Sequence, residues 1–72
     1  MVEIPHSSID RIIRKAGATR VSKSAIIVLQ QQLEEYGVYL SKLAVEIASH
    51  AGKKTVEGED ITLAIRKQKL NR

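Results

Sequence analysis

The chain has 72 residues, twelve Lys or Arg against eight Asp or Glu for a formal charge of +4, and no cysteine. A domain this small buries only about 60% of the surface its unfolded chain exposes, and without disulfides or metal-ligand spacing the composition predicts stabilisation by a partner chain. No apolar run approaches the roughly 20 residues that span a bilayer and the start, Met1 to Ser8, lacks the regions of a signal peptide, so a soluble, cytoplasmic protein with no membrane partner is expected, its positive balance favouring polyanions.

Pro5, His6, Ser7 and Ser8 lead into Ile9, Ile12, Ile13 and Ala16 at helical spacing, with Gly17 as the stop signal. A short first helix is predicted. Gly17 to Val21 then reads as a connector, and Ser22 supplies a hydroxyl able to cap the next helix.

From Ser22 to Ala51 no proline intervenes, and Ile26, Leu29, Leu33, Tyr36, Leu40, Leu43 and Ile47 recur at alternating steps of 3 and 4, with His50 next along the seam. Ala25, Val28, Ala44, Ala48 and Ala51 widen the apolar stripe beyond one face. At about 1.5 Å per residue this helix is roughly 45 Å long. A compact chain of this length has a diameter of only about 30 Å, so one protomer cannot enclose it.

Gly52 reads as a left-handed cap ending the long helix, and Lys53 to Val56 form a second connector. Glu57, Glu59 and Asp60 then place negative charge where the start of a third helix favours it. Ile61, Leu63, Ala64 and Ile65 are expected to face the core, and Arg66, Lys67 and Lys69 stand near the end of that helix, again with the favourable sign. The predicted layout is all-α, short helix, long helix, short helix, in a single domain over residues 1–72.

Arg11, Arg14, Lys15, Arg20 and Lys23 fall within thirteen residues that contain no acid, while Lys53 and Lys54 form a second cluster. If the short helices fold back over the long one, both connectors lie at its ends. In an antiparallel dimer the first connector of one chain then meets the second of the other, bringing Arg20, Lys54 and Thr55 near one another beside exposed backbone amides. Phosphate is the natural ligand of such a place. Arg20 is long enough to enter a minor groove without reading individual bases. The competing reading of each cation is a solvated connector residue.

The stretches Arg11-Ile12-Ile13-Arg14-Lys15-Ala16-Gly17-Ala18-Thr19-Arg20-Val21-Ser22 and His50-Ala51-Gly52-Lys53-Lys54-Thr55-Val56-Glu57-Gly58-Glu59-Asp60-Ile61 resemble the archaeal histones. The resemblance covers nearly the whole chain without gaps. It implies a histone fold, an intertwined antiparallel homodimer, double-stranded DNA as partner, and DNA contacts from Arg11, Arg14, Arg20, Lys54 and Thr55. Lys53 matches a position that is usually Arg and pairs with the acid matching Asp60, so a structural role comes first for it and a phosphate role second.

The same resemblance implies a contact between dimers through Ile47, His50, Asp60 and Leu63, giving tetramers or longer arrays. Taken without it, His50 is a partly covered residue at a helix end; facing Asp60 of a neighbour, it would strengthen assembly on protonation in mild acid. Gly17 matches a small residue where successive dimers pack closely, although a helix stop explains it equally well. Glu35 and Arg66 match a charged pair bridging stacked turns, whereas Gln31 and Thr62 replace a second such pair, so stacking is expected to be weaker. Ser49 stands where a base is common in the family. Ile27, Val38 and Tyr39 stand where polar residues are common, and are either covered locally or form an exposed patch.

An enzyme has little to stand on: no nucleophile, base and acid set, no phosphate loop and no metal-ligand spacing is visible, and no cofactor is expected. The main rival is a histone-fold interaction subunit that heterodimerises with a paralogue in a transcription complex. A plain antiparallel coiled coil fits the heptad seam but not the breaks at Gly17 and Gly52. A nucleoid-associated protein is the expectation.

Overall fold

The structure, a computed structural model, describes residues 4–70. Helix α1 spans His6–Lys15, α2 spans Lys23–His50 and α3 spans Gly58–Leu70, with no strand among the described residues. The predicted order is therefore present, with Ser22 and Ala51 flanking the long helix instead of continuing it. The chain packs as two compact units, one reaching to Glu35 and one starting at Tyr36.

In the first unit, Pro5 opens α1 with φ −60°, and its carbonyl accepts the N–H groups of Ser8 at 3.1 Å and Ile9 at 3.3 Å. Ile9 is wholly buried, while Ile12 on the same helix is exposed. The chain just before α1 is held from α2: the Ile4 N–H donates to a Glu34 carboxylate oxygen at 2.7 Å, and the amide of buried Gln30 donates to the Ile4 carbonyl. Ser22 caps α2, its Oγ accepting the Ala25 N–H at 3.1 Å.

In the second unit the buried apolar residues are Ala44, Ala48 and Ala64. Tyr36 Oη donates to Gln68 Oε1 at 3.4 Å, and the Tyr36 and Tyr39 rings stack with centroids 6.5 Å apart. Leu63 departs from its expected core position. It is 46% exposed, since Ala64 takes the inward place on α3 and Ile61 and Ile65 are half-buried.

Both connectors begin with the same device. Gly17 has φ +115° and Gly52 φ +75°, conformations that a side chain resists. Around Gly52, its N–H bonds the Ser49 carbonyl at 3.0 Å and the Lys53 N–H bonds the Ala48 carbonyl at 2.9 Å, the paired bonds that close a helix through a left-handed residue. Around Gly17 the equivalent bonds run from Gly17 to Arg14 at 3.0 Å and from Ala18 to Ile13 at 3.5 Å.

Among the described residues the fully buried apolar side chains are Ile9 and three alanines. The large residues of the α2 seam are not enclosed: Ile26, Leu29, Leu33, Leu40, Leu43 and Ile47 are half-buried and Tyr36 is exposed. Burying a Leu or Ile fully stabilises a fold by about 1.5–3 kcal/mol, so the surface these seam residues still expose leaves hydrophobic energy unrealised within one chain. Of the residues whose setting the sequence left open, Ile27 is half-buried, and Val38 and Tyr39 are exposed.

Candidate nucleic-acid interface

The second half of α1, the first connector and the first residue of α2 carry Arg11, Arg14, Lys15, Arg20 and Lys23, all exposed. Arg14 differs from the others in being tied down. Its Nε–H donates to Asp10 Oδ2 at 3.0 Å, and its Nη1 donates to the Thr19 carbonyl at 3.1 Å. The acid is one helical turn back, a spacing whose exposed ion pairs contribute about 0.3–0.5 kcal/mol. Arg11 and Arg20 take part in no such contact among the described residues, and Arg20 lines an open cleft with Ile13, Val21, Ser22 and Ala25.

In the second connector the adjacent lysines have opposite settings. Lys53 Nζ lies 3.1 Å and 3.0 Å from the two oxygens of Asp60, 3.1 Å from Glu57 Oε1 and 3.4 Å from Glu59 Oε1. Asp60, buried at 2% exposure, also accepts the Glu57 N–H at 2.8 Å, closing the start of α3 with an N3 acid. That backbone hydrogen bond, and then the Lys53 ammonium, hold the Asp60 carboxyl below its ordinary range. The hydrogen bonds that Lys53 donates to Asp60 and then to Glu57 raise its ammonium above the ordinary range, against a smaller opposing effect of burial. Lys54 and Thr55 are exposed, outside this cluster.

Six cationic or polar residues expected at DNA thus divide by environment. Among the described residues Arg11, Arg20, Lys54 and Thr55 face solvent unengaged, whereas Arg14 and Lys53 already hold carboxylates. Ile47 is half-buried, and His50 and Leu63 are exposed in the same unit as buried Asp60. Gly17, Glu35 and Arg66 are exposed. Sequence reasoning missed Asp10 as the partner of Arg14, although the four-residue spacing carries that signal. It also missed buried Gln30, whose partner lies 26 residues away and which no local pattern reveals. Groups of acids or histidines able to hold a metal ion are absent among the described residues.

Three helices with capped cationic connectors and an unfilled apolar seam define a histone-type architectural protein. The chain belongs to the family of histone-like transcription factors (CBF/NF-Y) and archaeal histones, whose profile matches residues 2–65. It is 53% identical over 66 residues to an archaeal histone of Thermococcus zilligii, covering 92% of this chain and 98% of that one. Over 66 residues it is 41% identical to a probable archaeal histone of Methanocaldococcus jannaschii, with the same coverage, 92% and 98%. A more distant relative, a histone-like protein of Mus musculus, is 34% identical over 64 residues, 88% of this chain and 61% of that protein. The protein is accordingly a dimerising, DNA-binding architectural component of the chromosome and not an enzyme. No described helix is long and apolar enough to cross a membrane.

Proposed function

We propose that two copies, each acting as one histone-fold domain over residues 1–72, clasp antiparallel along α2 and place the first connector of each chain beside the second connector of the other. Arg20, Lys54 and Thr55 then form one phosphate-binding corner, and Arg11 extends it along α1. Double-stranded DNA bends over these corners in the cytoplasm and is compacted through charge neutralisation, with preference set by deformability instead of base contacts.

The observation that carries this reading is the exposure of Arg11 on α1 and of Arg20, Lys54 and Thr55 at the connectors, all unengaged among the described residues. Dimers join further into tetramers or longer arrays through Ile47, His50, Asp60 and Leu63. Asp60 is buried and accepts three hydrogen bonds within its own chain, so meeting a neighbour's His50 requires the start of α3 to uncover it. Gly17 at the dimer edges, and Glu35 with Arg66, contribute close packing and charge between successive turns.

Nuclease digestion of DNA saturated with the protein tests the proposal. Protected lengths that grow in regular steps support wrapping by an extending array, and uniform sensitivity along the DNA contradicts it. A paralogue as obligatory partner is the second reading, supported by the transcription-factor branch of the same family; failure of the pure chain to self-associate or protect DNA would favour it.

A further inference from the structure

We infer that Arg14 is a positioning residue for Arg20 and that Asp10 restrains the DNA affinity of the first connector. The inference rests on the DNA-binding reading above and narrows the part Arg14 plays in it.

The guanidinium of Arg14 spans two places. Through Nε it is paired with Asp10 Oδ2 at 3.0 Å, and through Nη1 it grips the Thr19 carbonyl at 3.1 Å. That carbonyl belongs to the peptide group shared with Arg20. Because the peptide is planar, fixing the oxygen of Thr19 also fixes the nitrogen and Cα of Arg20, the points from which the Arg20 side chain departs. The remaining bonds of the turn converge on the same segment: the Gly17 N–H bonds the carbonyl of Arg14 itself at 3.0 Å. Arg14 thus ties the last turn of α1 to the residue preceding Arg20, across the Gly17 bend.

Asp10 alters the electrostatics of this brace. The pair has no net charge, and a phosphate brought to Arg14 comes within reach of the Asp10 carboxylate as well. Affinity gained by releasing counterions scales with the net phosphate charge neutralised, so a cation already matched by an acid adds little to it. Arg20, in contrast, has no acid against it among the described residues and contributes fully.

The test is a titration of double-stranded DNA with the full chain over a range of salt, for wild type, Asp10→Asn, the charge-balanced pair Asp10→Asn with Arg14→Gln, and Arg14→Lys, each checked for helicity and melting. The double variant should bind about 3- to 10-fold more weakly, as expected for coupled neighbours, with the wild-type salt slope. Arg14→Lys keeps the charge but loses the forked grip on Thr19, and should weaken binding at unchanged slope. Asp10→Asn frees a cation and should steepen the slope by up to about 0.9 for each chain. Once Arg20 is Ala, adding the double variant should have no further effect.

A double variant whose slope falls by about 0.9 for each chain shows Arg14 to be a phosphate ligand and overturns the proposal. So does undiminished affinity in that variant, or additive losses in the Arg20→Ala background. Wild-type protein that shows no salt-dependent binding overturns the DNA-binding reading itself, and this proposal with it. If the double variant loses helicity, Arg14→Lys is measured with and without Arg20→Ala: a loss of affinity that vanishes in the Arg20→Ala background supports the positioning role, and an equal loss in both backgrounds overturns it.

Discussion

Asp60, 2% exposed, accepts Lys53 Nζ at 3.0 Å and the Glu57 N–H at 2.8 Å on the same carboxylate oxygen. One acid therefore closes the start of α3 and holds the second connector against it. Removing the cation leaves a buried carboxylate without its charged partner, which is more damaging than never having had the pair. Lys53→Met should lower the melting temperature by on the order of 5–10 °C, and Lys53→Arg, which keeps the charge and adds a fork, should hold it near wild type. Thermal melts followed by circular dichroism measure both; equal melting of Lys53→Met and wild type would contradict this account.

The same acid sets a pH dependence. Its carboxyl is lowered in the folded chain from an ordinary 3.8, so the unfolded chain takes up the proton first as the medium is acidified. The stabilisation is complete above that ordinary value and is lost as the pH falls through the lower, folded one. Lys53 is shifted upward from 10.5, so its contribution persists below that value and fades only in stronger alkali. Melting curves between about pH 7 and about pH 2 should show the advantage of wild type over Asp60→Asn shrinking in the acid range. A constant difference across that range would refute the assignment.

Gly17 and Gly52 offer a comparison in which packing is removed as a cause, because an added Cβ at either position meets no atom within 4 Å. Only the backbone penalty remains. Gly52 at φ +75° lies near the left-handed region, where a non-glycine residue costs roughly 1–2 kcal/mol. Gly17 at φ +115° lies further out, so Gly17→Ala should destabilise more than Gly52→Ala in denaturant titration. The reverse order would show that some other contact governs Gly17.

Replacing the α2 cap is a smaller perturbation. Ser22→Ala removes the acceptor of the Ala25 N–H and should cost about 1 kcal/mol, read from the urea midpoint at unchanged slope. Ser22→Asp should restore the cap, and an Asp variant no more stable than the Ala one would dismiss the capping role.

Much of this architecture is legible in the residues. The glycine stops, Ser22 and the acids beginning α3 are local signals, and local backbone chemistry acts on them directly. The seam on α2 is legible as a pattern too, but periodicity cannot say what covers it. Leu63 shows the difficulty: it shares its helix with Ala64, yet Ala64 is buried and Leu63 is 46% exposed. Gln30 is a polar residue buried by a distant backbone group, which composition gives no reason to expect. The cationic set expected at DNA is legible as charge, whereas its division is not, since Arg14 and Arg20 differ in their neighbours and not in their chemistry.

One chain does not complete its own core, since the buried apolar residues among those described are Ile9 and three alanines. Sedimentation equilibrium at micromolar concentration, paired with circular dichroism, addresses it most directly. A helical species of twice the 8.0 kDa of one chain is the predicted result, with helix lost on dilution to the monomer. A stable, fully helical species of 8.0 kDa would contradict it.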